Sequence, residues 1–141
     1  MKAPRFAYAR PASIAEAIAL LDEHGDDARV LAGGQSLVPM MNFRVAAPAV
    51  LVDINRIAAL SGIKVTKGQV RIGAMTRHVD LERSPDIAKH LPLVAAAIPH
   101  IAHPAIRNRG TIGGSCALAD PAAELPACAL ALGATFVIAG K

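Results

Sequence analysis

The segment Leu31-Ala32-Gly33-Gly34-Gln35-Ser36-Leu37 constrains this chain more than any other. It follows a short run with strand character, Ala28-Arg29-Val30-Leu31, and leads into Gln35 to Met41, which suits one or two turns of helix. Two adjacent glycines let the backbone take positive φ and come close to another group. Successive N–H groups can then face an anion, helped by the start of a helix. The same residues also suit a plain strand-to-helix turn. The lysine of a P-loop is missing, and so is the GxGxxG of a dinucleotide fold. Asp53 ends a strand, but without that glycine pattern a ribose role for it lacks support.

The rest of the chain reads as short elements of both kinds. Residues 4–8 suit a leading strand, and Ser13 with Glu16 forms a capping box for a helix carrying Ile14, Ala17, Ile18 and Leu21, stopped at Gly25. Ala49 to Ile54 reads as a buried strand, and Ile57 to Leu60 as a turn of helix. Ile63-Lys64-Val65 and Val70-Arg71-Ile72 alternate across Lys67-Gly68 as a hairpin. Thr76 is placed to cap a short helix, Ser84-Pro85 starts another, and Leu91 to Ile98 continues as an apolar helix. Residues 104–115 read as a loop, Ala122 to Leu132 as a helix, and Thr135 to Ala139 as an incoming strand with nothing left to pair with. No sustained parallel βαβ rhythm emerges, so the expected class is α+β, with a first lobe over residues 1–60 and a second over 61–141. An unfinished sheet leaves an apolar edge that proteins avoid, and the chain is therefore expected to be a fragment or truncated product.

A second loop, Arg107-Asn108-Arg109-Gly110-Thr111-Ile112-Gly113-Gly114-Ser115, supplies glycines, two hydroxyls and two guanidinium groups. Its glycines are expected to leave amides uncovered, and Asp120 and Glu124 follow as acceptors for sugar-type hydroxyls. Two anion-friendly loops in one short chain favour a diphosphate held from both sides. The net charge of +4 is scattered and there is no Trp and one Tyr, which argues against nucleic acid. Two cysteines without a CxxC, and His100 and His103 bracketed by Pro99 and Pro104, argue against a metal site. No signal-type apolar region or membrane-length run is present, so a cytoplasmic chain is expected. No nucleophile system or catalytic acid–base residue suggests itself.

LAGGQSL, then IRNRGTIGG, then ADPAAELP resemble the FAD-binding medium subunit of molybdenum-containing hydroxylases such as carbon monoxide and xanthine dehydrogenases. FAYARPASIAEAIALL, VDINRI and RIGAMTRHVDL follow the same family order, so the resemblance covers essentially the whole chain. Cys116 and Leu118 depart from it, standing where related chains carry an aliphatic residue and a histidine.

The resemblance implies the two-subdomain FAD-binding fold shared with xanthine dehydrogenase and vanillyl-alcohol oxidase-like flavoproteins, with FAD between the subdomains. By it the second subdomain is incomplete and the family's C-terminal domain is absent. Leu31, Ala32, Gly33, Gly34, Gln35, Ser36 and Leu37 would wrap the diphosphate. Gly110, Thr111, Gly113, Gly114 and Ser115 would approach it and the ribityl chain. Ile101 and Ala102 would line the cofactor, Glu124 would take a ribityl or ribose contact, and Asp120 would assist. The implied role is an electron-transfer subunit, passing electrons from the [2Fe-2S] clusters of a small subunit through FAD to a final acceptor. A large subunit would carry the molybdenum cofactor. A stand-alone flavin oxidoreductase of the wider fold, or a truncated non-catalytic fragment, are the alternatives.

Overall fold

The structure, a computed structural model, describes residues 2–140. They form two compact units: one comprises the residues up to Ala58 together with those from Val137 onward, the other Ala59–Phe136.

The first unit is built on a three-stranded sheet in the order β1-β3-β2. β1 (Ala7–Ala9) and β2 (Ala28–Leu31) both pair in parallel with β3 (Val50–Asp53). β3 takes the centre because Val50-Leu51-Val52 is apolar on successive residues, and so suits burial on both faces; Val52 is fully buried. Local parallel pairing thus exists although no parallel rhythm stands out in the sequence: the strands are only three or four residues long, too short for periodicity to register. The crossover from β1 to β2 is α1 (Ile14–His24). Its cap forms as expected, with the Ser13 hydroxyl accepting from the Glu16 amide at 3.1 Å. The Glu16 carboxylate reaches back to the Ala12 amide at 2.7 Å, one residue before the cap. Such a cap contributes about 1 kcal/mol. Gly25, at φ 49°, ends the helix. The second crossover carries α2 (Leu37–Asn42).

The second unit opens with the hairpin β4 (Ile63–Thr66) and β5 (Gln69–Ile72), paired Ile63 to Ile72. Six helices follow: α3 (His78–Arg83), α4 (Pro85–His90), α5 (Pro92–Ala97), α6 (Pro104–Arg107), α7 (Ile112–Leu118) and α8 (Glu124–Ala131). Their core joins Leu81, Ile87, Val94, Ile98, Ile101, Leu125 and Cys128.

Three local expectations fail. Thr76 does not cap α3; its hydroxyl bridges the amide and carbonyl of Gly62, and Arg77 takes the cap position. Residues 104–115 are not one loop but contain α6 and the start of α7. Pro104 is at home in a first helical turn, where no N–H is needed, and the Thr111 hydroxyl caps α7 by accepting from the Gly114 amide at 3.1 Å. Residues 134–140 form no strand: nothing engages them in a ladder, and Val137 and Ile138 stay 81% and 89% exposed. No helix among the described residues is long and apolar enough to cross a membrane.

Candidate functional site

In the first unit the glycine segment begins where β2 ends. Leu31 is the last residue of the strand, Ala32 to Ser36 turn, and Leu37 opens α2. Gly34 sits at φ 74°, the left-handed region that an L side chain enters only at about 1–2 kcal/mol. The Gln35 side chain donates to the Gly33 carbonyl at 3.1 Å and closes the turn. Among the described residues, the amides of Gly33, Gly34, Gln35 and Ser36 donate to no protein acceptor, although Gly33 is buried. Ser36 makes no side-chain capping bond either. The buried Gly33 amide calls for an acceptor from outside the protein, since buried backbone groups are nearly always paired, while the partly exposed amides of Gly34, Gln35 and Ser36 stand open beside it.

A polar brace holds this turn from behind. Asn55 donates through Nδ2 to the Ala32 carbonyl at 2.8 Å and to Asp53 Oδ1 at 2.6 Å. Its amide donates to the same oxygen at 2.8 Å. The Tyr8 hydroxyl donates to Asp53 Oδ2, and Arg10 lies 4.0 Å from that oxygen. Asp53 is 6% exposed. Burial works to raise its carboxyl, but the hydrogen bonds from Tyr8 and Asn55 outweigh it and hold the group below the usual carboxylate range. The bond to Asp53 in turn raises the Tyr8 phenol. Asp53 is therefore spent on the protein itself. Within VDINRI only the strand end was legible; the role of Asn55 depends on the β2–β3 register, which places it beside Ala32.

In the second unit the expected residues are placed unevenly. Gly110 and Thr111 are buried, while Gly113, Gly114 and Ser115 lie half-buried in the first turns of α7. The expectation of uncovered amides does not hold there. Ile112 donates to the Thr76 carbonyl at 3.1 Å, Gly113 to the Ala74 carbonyl at 2.8 Å, and Gly114 to the Thr111 hydroxyl. Gly113 is glycine for a packing reason, because a Cβ there would lie 2.6 Å from the Ala74 Cβ and 2.7 Å from its carbonyl oxygen. What this segment can offer a ligand is the Ser115 hydroxyl and close backbone approach; the Thr111 hydroxyl is buried and spent on the Gly114 amide.

Ile101 is turned into the core and is 9% exposed, so lining a ligand falls to Ala102, which is exposed at φ 44°. Arg107 holds that bend. Its Nη1 donates to the Ile101 carbonyl at 3.1 Å, and its Nε and Nη2 reach the Glu82 carboxylate at 3.0 and 3.4 Å. Glu124 is half-buried at the first position of α8. Asp120 is exposed between α7 and α8, where its carboxylate accepts from the Ala122 amide at 2.9 Å.

A glycine turn with unpaired amides is a feature of protein sites that receive an anionic, phosphate-bearing ligand. Residues 4–141 match the family model described as the FAD binding domain in molybdopterin dehydrogenase, and the chain belongs to that family. It is 53% identical over 134 residues to the 6-hydroxypseudooxynicotine dehydrogenase complex subunit alpha of Paenarthrobacter nicotinovorans, covering 95% of this chain and 45% of that one. It is 51% identical over 137 residues to the carbon monoxide dehydrogenase medium chain of Hydrogenophaga pseudoflava, covering 97% and 48%. Among solved structures, carbon monoxide dehydrogenase from Hydrogenophaga pseudoflava superposes with a TM-score of 0.91 at 52% identity, over 93% of this chain and 46% of that one. Quinoline 2-oxidoreductase from Pseudomonas putida 86 does so with a TM-score of 0.86 at 44% identity, over 89% and 44%. The chain thus spans about half the length of the curated relatives it matches. FAD is the cofactor of this family of domains, and the mixed helix-and-sheet fold is shared with those relatives.

Proposed function

We propose that this chain binds FAD through Leu31, Ala32, Gly33, Gly34, Gln35, Ser36 and Leu37 of the first unit. From the second unit it would use Ile101, Ala102, Gly110, Thr111, Gly113, Gly114, Ser115, Asp120 and Glu124. Residues 1–60 and 61–141 serve as the first and second flavin-binding subdomains in this reading. The observation that carries it is the set of unspent amides from Gly33 to Ser36, fixed in place by Asn55 and Asp53. Amides at that spacing suit the oxygens of a diphosphate. The residues of the second segment contribute differently: Ser115 by its hydroxyl, Thr111 by capping the helix that presents Ser115, Glu124 by a carboxylate acceptor, Ile101 by supporting the bend at Ala102.

The activity proposed is that of an electron-transfer subunit in a molybdenum hydroxylase or dehydrogenase complex. FAD, when bound, supplies the exchange between single electrons and electron pairs. The chain's own part is to bind it, orient it and tune its surroundings. Partners in this reading are a small subunit with [2Fe-2S] clusters and a large subunit with the molybdenum cofactor; the subunit and medium-chain names of the relatives support assembly with other subunits. A reducing, cytoplasmic setting belongs to the same proposal and fits two free thiols, Cys116 and Cys128.

Titration of the purified chain with FAD tests the site. Saturable binding is expected, and Gly33→Val should abolish it while leaving the far-UV spectrum of the fold intact. A folded chain that leaves FAD free at every concentration would refute the reading. Co-expression with iron-sulfur and molybdenum subunits tests the complex, where co-purification is the expected result.

A further inference from the structure

His78 is the one buried side chain among the described residues with no well-formed hydrogen bond at either polar atom. It is 4% exposed, and no acceptor meets Nδ1 or Nε2 in good geometry, although the Thr111 backbone faces the ring closely enough to favour its charged form. A buried donor or acceptor without a well-formed bond costs about 1–3 kcal/mol, so the polar atoms of this ring do not stabilise the fold through hydrogen bonds of their own.

The ring lies beneath the second glycine segment. A Cβ at Gly110 would fall 2.9 Å from both Cε1 and Nδ1 of His78, so the space a side chain would fill belongs to the imidazole. The His78 amide donates to the Gly110 carbonyl at 3.0 Å. Arg77 and Thr111 form an antiparallel bridge, the Arg77 guanidinium donates to the Arg109 carbonyl, and Ile112 and Gly113 hang from Thr76 and Ala74. Residues 74–78 are therefore the bed on which residues 109–114 rest, and His78 is its one titratable side chain that is fully enclosed.

We propose that His78 is a positioning residue for the Gly110–Ser115 segment, its enclosed imidazole setting the conformation in which that segment meets FAD. This rests on the flavin reading above. Burial opposes a charged ring most strongly, and the guanidinium groups of Arg107 and Arg77 oppose it further. The Thr111 backbone and the Glu124 carboxylate favour charge but do not prevail, so the group titrates below its ordinary 6.5. The sign follows. The ordered segment keeps its full stability above pH 6.5 and loses it as pH falls below that value, because the loosened segment takes up the proton first.

Amide hydrogen exchange of the chain without added FAD, corrected for intrinsic rates, reads the segment directly between pH 8 and pH 5. Protection at residues 109–115 should fall up to about tenfold per pH unit below 6.5, while protection in β3 holds. FAD affinity measured in parallel should weaken over the same window. His78→Gln and His78→Leu should flatten both profiles. NMR of the wild-type ring gives a reading that survives even if both variants misfold: a His78 titration at or above 6.5, or protection that ignores it, overturns the inference. A segment that loosens with acid in a chain that never binds FAD supports the role of His78 and refutes only the flavin reading. Flavin bound with an acid-indifferent segment does the reverse.

Discussion

Replacing Arg107 with alanine tests whether the bend at Ala102 is held by this one guanidinium. The Nη1 bond to the Ile101 carbonyl, at 3.1 Å in buried surroundings, is a charge-assisted bond expected to contribute about 2 kcal/mol. The contacts to Pro99 and Ala102, at 3.5 and 3.4 Å, are too long to count. The ion pair with Glu82 is close, but the Glu82 side chain is 30% exposed, and solvent screening limits the pair to about 1 kcal/mol. Arg107→Ala should therefore cost about 3 kcal/mol. With a urea dependence of about 2 kcal/mol per molar, the midpoint should fall by about 1.5 M, read by far-UV circular dichroism at neutral pH. Glu82→Gln should lose only the smaller share, and Arg107→Lys should recover less than half, since one ammonium cannot serve both directions. A loss under about 1 kcal/mol for Arg107→Ala, or wild-type stability in Arg107→Lys, would show that the clamp is not what shapes this bend. Its effect on FAD should follow stability rather than contact, and so remain smaller than that of Gly33→Val.

Two glycine substitutions should separate ligand approach from packing. Gly34→Ala places a side chain at positive φ and should cost about 1 kcal/mol, with FAD affinity falling more than tenfold. Gly113→Ala drives a Cβ into the Ala74 backbone and should lower the stability of the chain without FAD by about 2 kcal/mol in thermal melts. At Asp53 the folded carboxyl lies below its ordinary 3.8, so its contribution is complete above that pH and disappears as acid brings it to its lowered value. Tyr8→Phe should move the Asp53 titration upward by carboxyl NMR and raise the pH of acid unfolding. An unmoved titration would mean that the phenol does not govern the carboxylate.

Local chemistry was legible in the residues themselves. Ser13 and Glu16 announce α1 because a cap is a contact within four residues. The hairpin across Lys67-Gly68 and the buried run Val50-Leu51-Val52 are equally local, and the ordered pair of glycine segments identified the family. Where the reading failed, the missing information was long-range. Residues 104–115 look like loop because their glycines and prolines disfavour helix, yet α7 forms once Thr111 caps it and Ala74 accepts the Gly113 amide from 39 positions away in sequence, 113 less 74. Thr135 to Ala139 has the composition of a strand but no neighbour to complete a ladder.

The sequence by itself determined where the glycines stand, the helix that Ser13 caps, the hairpin across Lys67-Gly68, and which cofactor family the chain joins. Only the tertiary structure decided how those glycines are used. The amides from Gly33 to Ser36 meet no protein acceptor in a turn that Asn55 and Asp53 brace at Ala32, whereas Gly113 and Gly114 give theirs to Ala74 and Thr111. The physical reason is that a donor's availability depends on which acceptor the fold brings within 3 Å of it, and that distance is written in no single segment.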